Sequence, residues 1–471
     1  MLDINLIREK PEWVKAQLHK LNDPEAVARI DKILELDVQR RALLTEVEAL
    51  KAARNKLNKP IGQLRGNKQL SVAQKLATAQ AVFQAVEAGS YEQAIALFDA
   101  PPAADGAADE AALSDAFNAL FEQMKGLSDK VGVLDEQVRE VDEARNELML
   151  WVPNLPHESV PVAESDEANI AHPVHGTIPS FDFEPKPHWE IGVELGLIDL
   201  ERGVKLGGTR FYILAGMGAA LQRALINFLL DQLSLKHGFQ EMYVPLMVKP
   251  EAMYGSGQFP KFIDTSYQIE TGNYMLPTAE VAIANMLGGE VLNGDDLPMK
   301  FVAHTPCFRQ EKMSAGRDVR GIKRVHQFEK VEMFQFTRPG DSYATLEAMT
   351  EIAESLCAAL EIPYRRLEIV TGDLGFTATK KYDVEMWSPG TQEWLEVSSC
   401  SNTEDFQARR ANIKYRDGET NRFVHMLNGS GLGIPRTLIA IMENYQTADG
   451  CIRIPTVLQP YMGGLEVIER R

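Results

Sequence analysis

The sequence predicts a fold of the α+β class, in which a long N-terminal helical arm precedes a globular part built of strands and helices. Apolar residues repeat in heptads over two stretches before residue 150, and after that point alternating strands occur beside amphipathic helices. Between them lies WVPNLPHESVPV, residues 151–162, whose three prolines cannot continue a helix. We therefore expect two domains, residues 1–150 and residues 151–471.

The composition excludes several classes of protein. A net charge of −18 over 471 residues argues against a generic nucleic-acid coat, so any RNA contact must be local. The N-terminus carries charges too early for a secretory signal, and no apolar run is long enough to span a bilayer. We expect a cytoplasmic protein without membrane attachment. Cys307, Cys357, Cys400 and Cys451 show no metal-binding spacing, which predicts reduced, mostly buried thiols and no zinc site.

The arm is predicted from two heptad stripes, each spanning on the order of 50 Å. The first consists of Ile33, Leu36, Leu43, Val47, Leu50, Leu57, Ile61 and Leu64. The second consists of Leu113, Phe117, Leu120, Met124, Leu127, Val131, Leu134, Val138, Val141 and Leu148. Their similar lengths predict one antiparallel coiled-coil hairpin. Arg40, Arg54 and Arg145 fall at seam positions, where a charge fixes the register.

The first stripe also carries a local excess of positive charge. Between residues 40 and 68, eight basic residues stand against two acidic ones in a chain that is acidic overall. A basic face on a projecting rod can follow an RNA backbone without reading bases. A solvated coiled-coil face has the same composition, so the arm alone leaves both interpretations open.

An insertion interrupts the heptads at about residues 67–110. SVAQKLATAQAVFQAVEAG and SYEQAIALFDA predict two short amphipathic helices, and PPAADGAADE predicts a flexible link. We expect this segment at or near the tip of the arm.

The stretch from Met299 to Phe336 predicts two strands joined by a long basic loop. Arg309 ends the first strand, and Phe328 and Glu332 share one face of the second because side chains repeat every two residues. The loop between them is crowded with cations: Arg317, Arg320, Lys323 and Arg324. Arginine forks suit phosphate, a ring suits a base, and a carboxylate suits an ammonium or hydroxyl group. The stretch therefore predicts a site for a nucleotide and a small zwitterion, with a solvated basic hairpin as the alternative.

Three further segments carry weaker signals. Leu221 to Leu233 predicts a helix, and residues 239–248 predict a strand that contains Pro245. Thr278 and Glu280 precede an apolar helical run, which helix capping alone would explain. In EWLEVSSCSN, Glu396 and Ser399 near a strand end could hold magnesium, although an ordinary surface strand would look similar.

The last segment, NGSGLGIPRTLIAIMENYQ, runs from Asn428 to Gln446. Its glycines allow close backbone approach, and Pro435 and Arg436 begin a helix with Leu438, Ile441 and Met442 facing inward. The spacing is not GxGxxG and no βαβ repeat surrounds it, so a dinucleotide-binding fold is excluded.

Together these segments resemble a known family. FRQE, GRDVRG and HQFEKVEMF are similar to motif 2 of class II aminoacyl-tRNA synthetases in the form found in seryl-tRNA synthetases, and the segments around Pro245 and Arg436 resemble motifs 1 and 3. The likeness covers nearly the whole chain except the insertion. It implies an antiparallel β-sheet flanked by helices, an N-terminal tRNA-binding arm, a homodimer built on motif 1, and a two-step serine–tRNA ligase reaction.

The resemblance also implies roles for individual residues. Those around L-serine are Thr278, Ala279, Glu280, Glu332 and Ser430. Those around ATP are Arg309, Gln310, Glu311, Val325, Phe328, Glu396, Val397, Ser398, Ser399 and Arg436. Arg309 is expected on the α-phosphate and Arg436 on the γ-phosphate as the catalytic pair, with Mg²⁺ on Glu396 and Ser399. The expected RNA partner is tRNA(Ser), and tRNA(Sec) is a second acceptor to be tested.

Two alternatives to this function stay open at the level of sequence. One is a related ligase that passes an activated amino acid to a carrier protein, against which the basic arm argues. The other is a non-catalytic RNA-binding or scaffold protein with a degenerate core, which the presence of Arg309, Glu332, Glu396 and Arg436 disfavours.

Overall fold

The computed structural model describes residues 1–106, 108–312 and 320–470, and the chain divides into two compact units. One unit comprises Met1–Ala28 with Leu150–Arg471, and the other comprises Arg29–Met149. The first 28 residues thus pack with the globular unit, whereas the sequence predicted a single domain over residues 1–150. Arg317 of the predicted basic loop lies outside the described residues.

The N-terminal part of the chain is helical throughout. Its helices are α1 (Ile4–Glu9), α2 (Pro11–Lys20), α3 (Pro24–Gly66), α4 (Val72–Glu87), α5 (Tyr91–Asp99) and α6 (Glu110–Leu150). The two heptad stripes lie on α3 and α6, and most of their residues are buried in one cluster, from Val47 to Leu64 on α3 and from Phe117 to Leu134 on α6. The predicted antiparallel coiled coil is confirmed.

A charged layer interrupts the apolar seam of the arm. The Asp37 side chain is 1% exposed and forms ion pairs with Arg41 at 3.1 Å and with Arg145 at 3.4 Å. Asp142 forms ion pairs with Arg40 and with Arg145, both at 2.7 Å. Two of the three predicted seam arginines therefore lie in cross-helix ion pairs. Because a partly buried charge is costly when its partner is removed, this layer fixes the register of α3 against α6.

The insertion forms the two predicted helices, α4 and α5. Ser71 starts α4 with a capping box, in which its hydroxyl accepts the Gln74 N–H at 3.2 Å and the Gln74 side chain accepts the Ser71 N–H at 3.0 Å. Ala79, Val82 and Ala94 are buried in the same cluster as the distal part of the coiled coil. The insertion thickens this part of the arm into a small helical bundle.

The globular unit combines short helices with many strands. Its remaining helices are α7 (His188–Glu194), α8 (Leu200–Gly207), α9 (Met217–Asp231), α10 (Pro250–Gly255), α11 (Glu280–Asn285), α12 (Ser342–Ala359), α13 (Phe406–Ala411) and α14 (Ile434–Asn444). The first nine strands are β1 (Ile170–Ala171), β2 (Ile198–Asp199), β3 (Ile213–Leu214), β4 (Gln240–Glu241), β5 (Met247–Val248), β6 (Tyr274–Met275), β7 (Val291–Asn293), β8 (Met299–Phe308) and β9 (Gln327–Thr337). The other eight are β10 (Tyr364–Glu368), β11 (Lys380–Ser388), β12 (Glu393–Asn402), β13 (Lys414–Asp417), β14 (Thr420–Phe423), β15 (His425–Gly433), β16 (Ile452–Arg453) and β17 (Val467–Ile468).

The main sheet has eight strands in the order β1-β10-β11-β12-β15-β9-β8-β4 and is antiparallel except for the edge pair β4 and β8. Apolar clusters cover both of its faces. Val331 and Met333 of β9 join α9, α12 and α14 in one cluster, while Phe334 and Phe336 join α10, α11 and α13 in the other. This alternation is the period of two read from the sequence, and the predicted α+β class with an antiparallel sheet is confirmed.

The strand predicted over residues 239–248 is wrong as a single element. β4 and β5 are two residues each and belong to different sheets, and the exposed Pro245 lies between them. Proline supplies no N–H for a continuous ladder, so the pairing stops before it. The helix before this segment was predicted correctly, and it continues past α9 as a π-helical turn to Lys236.

Two other sequence predictions concern membranes and thiols. None of the described helices is both long and apolar enough to cross a bilayer. All four cysteines are free, and Cys307, Cys357 and Cys400 are buried, as predicted. Burial raises the pKa of the Cys400 thiol to about 12, so this thiol stays protonated at neutral pH.

Candidate active site

A cleft of about 380 Å³ opens on the face of the main sheet formed by β9, β12 and β15. Its volume lies within the roughly 300–1,000 Å³ range usual for small-molecule sites. Twelve of the predicted site residues line it: Thr278, Glu280, Arg309, Glu311, Val325, Phe328, Glu332, Glu396, Val397, Ser399, Ser430 and Arg436. Residues far apart in sequence thus converge on one cleft, which is acidic at one end and basic at the other.

The acidic end is built where α11 meets β9 and β15. Ser430 lies directly opposite Glu332 in the antiparallel pairing of these strands. The Thr278 hydroxyl donates to Glu332 at 3.4 Å and accepts the Glu280 N–H at 3.3 Å. The Lys330 ammonium also contacts the Glu332 carboxylate. This end therefore offers two carboxylates, two hydroxyls and one ammonium within a small buried space.

Glu280 is held by a side chain that the sequence did not single out. The Gln407 amide donates to the Glu280 carboxylate at 2.6 Å and to the Ser256 carbonyl at 2.9 Å, while its oxygen accepts the Thr403 hydroxyl at 3.1 Å. Gln407 is fully buried on α13. The orientation of Glu280 is therefore fixed from behind the cleft.

The Glu280 carboxyl titrates far from its ordinary range. Burial raises its pKa to about 7, and the nearby Glu332 carboxylate adds to the rise. The folded protein therefore binds this proton more tightly than the unfolded chain does. As a result, the ionised carboxylate destabilises the fold progressively as pH rises from about 4.5 to above 7.

Replacing Glu280 with glutamine is expected to stabilise the protein at pH 8 by on the order of 3 kcal/mol relative to wild type, because the neutral amide avoids that cost. At pH 4 the difference should nearly vanish. Urea unfolding of both proteins at the two pH values measures it, with Glu290→Gln, at an exposed position, as the matched control. Parallel pH curves for wild type and Glu280→Gln would contradict the assignment.

The basic end begins with Arg309, the residue after β8. Its Nε donates to the Pro277 carbonyl at 3.3 Å, and its guanidinium carbon lies 5.1 Å from the centre of the Phe328 ring. Arg324 pairs with Glu311 at 2.6 Å, and Lys323 pairs with Glu393. A guanidinium fork and an aromatic face therefore lie side by side, with further cations along the same wall.

Arg436 reaches the cleft from the first turn of α14. Its guanidinium donates to the Glu396 carbonyl at 2.9 Å and lies 3.3 Å from the Glu396 carboxylate, and its Nε contacts the Lys323 carbonyl at 3.4 Å. Burial by itself would raise the pKa of Glu396, but Arg436, Lys381 and Arg309 lower it below its ordinary value. Glu396 is therefore an ionised carboxylate at neutral pH.

A β-bulge explains how Glu396 and Ser399 come to share a face. Glu385 of β11 pairs with Glu396, but Val384 pairs with Ser398, so Val397 is an extra residue in β12. Residues three positions apart in a regular strand would point to opposite faces, and the extra residue reverses that parity. The sequence predicted that Glu396 and Ser399 lie near the end of a strand. That prediction was wrong, because both residues lie in the middle of β12.

The carboxylate and hydroxyl of these two residues are hard oxygen donors that suit Mg²⁺, which usually takes its remaining ligands from water and substrate phosphates. Among the described residues, no group of three or more histidine, cysteine or acidic side chains is arranged to hold a metal ion. These two residues therefore suit an ion that also binds a phosphate ligand, rather than an ion enclosed by protein side chains alone.

Three predicted site residues do not line the cleft. Ala279 is fully buried, the Gln310 amide donates to the Ser266 carbonyl at 2.7 Å, and the Ser398 hydroxyl donates to the Ser430 carbonyl at 2.6 Å. The structure gives Ser398 a supporting position, since its bond fixes the backbone of Ser430.

The cleft also includes residues to which the sequence analysis gave no role in the site. Lys323 and Arg324 were noted only as cations of the basic loop, and Gly433 and Pro435 only as backbone features of the segment around Arg436. Three others were missed: Gln258, Lys330 and Asn428. For Lys330 a signal was present, because it lies between Phe328 and Glu332 at the same period of two. For Gln258 and Asn428 the sequence carries no pattern that would have found them.

The antiparallel sheet, with two arginines and an oxygen-donor pair on one face, defines a class II aminoacyl-tRNA synthetase core. Residues 266–445 match the family model described as the tRNA synthetase class II core domain (G, H, P, S and T), and residues 1–93 match the seryl-tRNA synthetase N-terminal domain. The chain belongs to the seryl-tRNA synthetase family.

Full-length relatives support this membership. The serine–tRNA ligase of Roseiflexus sp. (strain RS-1) is 48% identical over 100% of both chains, and that of Thermomicrobium roseum is 49% identical over 100% of this chain and 95% of its own. The crystal structure of seryl-tRNA synthetase from Pyrococcus horikoshii complexed with ATP has a TM-score of 0.84 at 36% identity and covers 100% of both chains. The family resemblance read from the motifs is confirmed.

Proposed function

We propose that this chain is a serine–tRNA ligase that activates L-serine with ATP to seryl-adenylate and transfers the seryl group to the 3′ end of tRNA(Ser). The observation that carries this proposal is the convergence of Arg309 and Arg436 on one cleft whose other end holds Glu280, Glu332 and Ser430. The relatives' names and the ATP in the P. horikoshii structure support the same activity.

At the acidic end, Glu280 and Glu332 provide carboxylates for the serine ammonium and hydroxyl groups, and Thr278 and Ser430 complete the surroundings. Lys330, already paired with Glu332, offsets part of the repulsion between the two acids. A site that hydrogen-bonds the substrate hydroxyl can reject alanine by roughly 10⁴-fold, because the analogue would leave buried polar groups unpaired.

At the basic end, Arg309 binds the α-phosphate and Phe328 stacks on adenine. The serine carboxylate is ionised at neutral pH, so it can attack the α-phosphorus without a general base. The bond from that phosphorus to the bridging oxygen breaks, and pyrophosphate leaves with the electron pair. The chain contributes by aligning the two reactants and by neutralising the charge that develops on the phosphate oxygens.

Arg436 is assigned to the γ-phosphate, and its present pairing with Glu396 keeps both side chains on the cleft wall. Mg²⁺ held by Glu396 and Ser399 would supply charge neutralisation to the departing pyrophosphate. Glu311, paired with Arg324, is assigned to a contact with the nucleotide.

In the second step, a hydroxyl of the terminal ribose attacks the carbonyl carbon of seryl-adenylate and loses its proton to solvent. The bond from that carbon to the phosphate oxygen breaks, an ester forms, and AMP leaves with the electron pair. We assign the tRNA contact to the arm, whose distal part carries five basic residues on α3 and just after it: Arg54, Lys56, Lys59, Arg65 and Lys68. Charging of tRNA(Sec) as a second acceptor can be measured in the same way as charging of tRNA(Ser).

We also propose that the enzyme works as a homodimer in the cytoplasm. Large apolar side chains are exposed along the segment that resembles motif 1: Leu235 is 81% exposed, Tyr243 97% and Met247 57%. Exposed apolar residues in one segment favour burial against a second copy.

The proposal predicts ATP–pyrophosphate exchange that depends on serine alone among the twenty amino acids, and charging of tRNA(Ser) by the same protein. Exchange without charging of any tRNA would favour the carrier-protein ligase. No exchange with any amino acid, from a protein that is folded by circular dichroism, would favour the non-catalytic alternative.

A further inference from the structure

A fully buried histidine–glutamate pair links the motif 3 helix to the wall of the cleft. Glu443, in the last turn of α14, accepts the His188 backbone N–H at 2.9 Å and lies 3.0 Å from the His188 Nδ1 atom. Its second oxygen accepts the Ser388 hydroxyl and the Gly390 N–H. Neither side chain of the pair is more than 1% exposed. Four donors around one buried carboxylate hold it in a single orientation.

The other ring nitrogen of His188 faces the returning limb of the basic loop. The Ile322 backbone N–H donates to Nε2 at 3.1 Å, so Nε2 must be the unprotonated nitrogen. Nδ1 then carries the ring proton and donates it to Glu443. The two hydrogen bonds therefore define one neutral tautomer of His188.

The loop is shaped to receive this ring. Gly321 has a φ of +68°, and a Cβ atom built there would lie 1.9 Å from the His188 Nε2 atom. Only glycine fits both the backbone conformation and the close approach. The three residues after Ile322, namely Lys323, Arg324 and Val325, all line the cleft.

We infer that His188 is a positioning residue for nucleotide binding: anchored by Glu443, it holds the Ile322 amide so that Lys323, Arg324 and Val325 form the wall of the cleft. The inference rests on the proposed function for the identity of the nucleotide. α14 thus acts on the site from both ends, with Arg436 in the cleft and Glu443 behind the loop.

Two substitutions separate the two hydrogen bonds. In His188→Asn, the side-chain amide can replace Nδ1 as the donor to Glu443, but the Ile322 N–H is left without its acceptor. In His188→Gln, the longer side chain can bring its oxygen to the position of Nε2 and accept from Ile322, while the side-chain donor to Glu443 is removed and the backbone N–H of residue 188 still donates to it. If the role of His188 were purely structural, both substitutions would change the cleft to the same extent.

Amide hydrogen exchange of peptides that contain Ile322 tests the anchor without ATP. Exchange is expected to be about tenfold faster in His188→Asn than in wild type and near the wild-type rate in His188→Gln, since only the former removes this hydrogen bond, which is of typical strength. Equal exchange in the two variants would overturn the anchor.

Equilibrium ATP binding by calorimetry, with melting temperatures as the control for fold, tests the consequence. His188→Asn should weaken ATP affinity by about tenfold, and His188→Gln should bind ATP nearly as wild type does even if it melts at a lower temperature. Affinity that follows melting temperature across the variants would overturn the positioning role. If wild type itself binds no ATP, the proposed function fails, and hydrogen exchange still decides whether His188 holds the loop.

Discussion

Alanine in place of Arg309 is expected to lower serine-dependent ATP–pyrophosphate exchange by roughly 10²-fold or more, the usual effect of removing one preorganised transition-state donor. Arg309 is fixed just after β8 by its bond to the Pro277 carbonyl and by the Phe328 ring, so its guanidinium is already oriented along the cleft wall. Because the interaction strengthens as charge develops, the effect should fall mainly on kcat.

Arg309→Lys separates charge from shape. Lysine keeps the positive charge but cannot form a bidentate contact with phosphate or lie flat over Phe328, so we expect it to recover only part of the activity. Arg422→Ala is the matched control, because Arg422 is an exposed arginine of the same unit whose partner is Asp417 on its own hairpin. Exchange within about threefold of wild type in Arg309→Ala would refute the assignment to the α-phosphate, since removing an oxyanion donor costs far more.

Strand and helix periodicity predicted one part of the site, and the family resemblance supplied the other predicted residues. Phe328 and Glu332 share a face of β9 because a strand has a period of two. Arg436 lies in the first turn of α14 directly after Pro435, because proline suits a first helical turn. The arm was predictable for the same reason, since a seven-residue apolar repeat admits few other structures.

The parts that the sequence did not predict depend on contacts between distant segments. Glu396 and Ser399 were predicted as site residues from the family resemblance, but the bulge that brings them to one face was not predicted. They face the same cleft because Val397 is bulged, and a bulge is set by the pairing partner, here β11. Gln407 supports Glu280 across 127 residues, and His188 meets Glu443 across 255. Neither pair lies in a local pattern, so only the folded chain brings its members together.

The strand prediction over residues 239–248 failed for a related reason. Local alternation favoured one strand, but β4 pairs with β8 in the main sheet and β5 pairs with β6 elsewhere. The choice between one strand and two was made by the neighbouring strands, which the local sequence does not describe.

Removing the distal arm is expected to lower seryl-tRNA formation by at least about 10²-fold at physiological salt while leaving serine-dependent exchange within about twofold of wild type, because phosphate contacts dominate RNA affinity. The structure shows where to cut. Replacing Leu44 through Val138 with a short glycine–serine loop keeps the charged layer of Asp37, Arg40, Asp142 and Arg145, which holds the base of the hairpin together. If a folded protein with this deletion showed neither activity, the arm would not be separable.

A charge-reversal variant locates the RNA-binding face more finely. Between Arg40 and Lys51, three cations of α3 are engaged by acidic partners: Arg40 by Asp142, Arg41 by Asp37 and Lys51 by Asp135. Farther along, Lys56 and Lys59 on α3 and Lys68 just past its end are exposed and form no ion pair within the described part of the chain. Only cations that are not already neutralised can release counterions from RNA phosphates, so the distal group is expected to bind the RNA.

Reversing Lys56, Lys59 and Lys68 to glutamate should raise the KM for tRNA, and it should reduce the slope of log affinity against log salt by roughly one for every phosphate that the arm no longer neutralises. Lys32→Glu is the control, because Lys32 is an exposed lysine on the same helix near its start and already faces Glu35. The insertion carries six acidic residues against one lysine between residues 71 and 110, so we expect it to repel phosphate and to disfavour RNA binding on its own surface. An unchanged salt slope in the triple variant would place the RNA on another face of the arm.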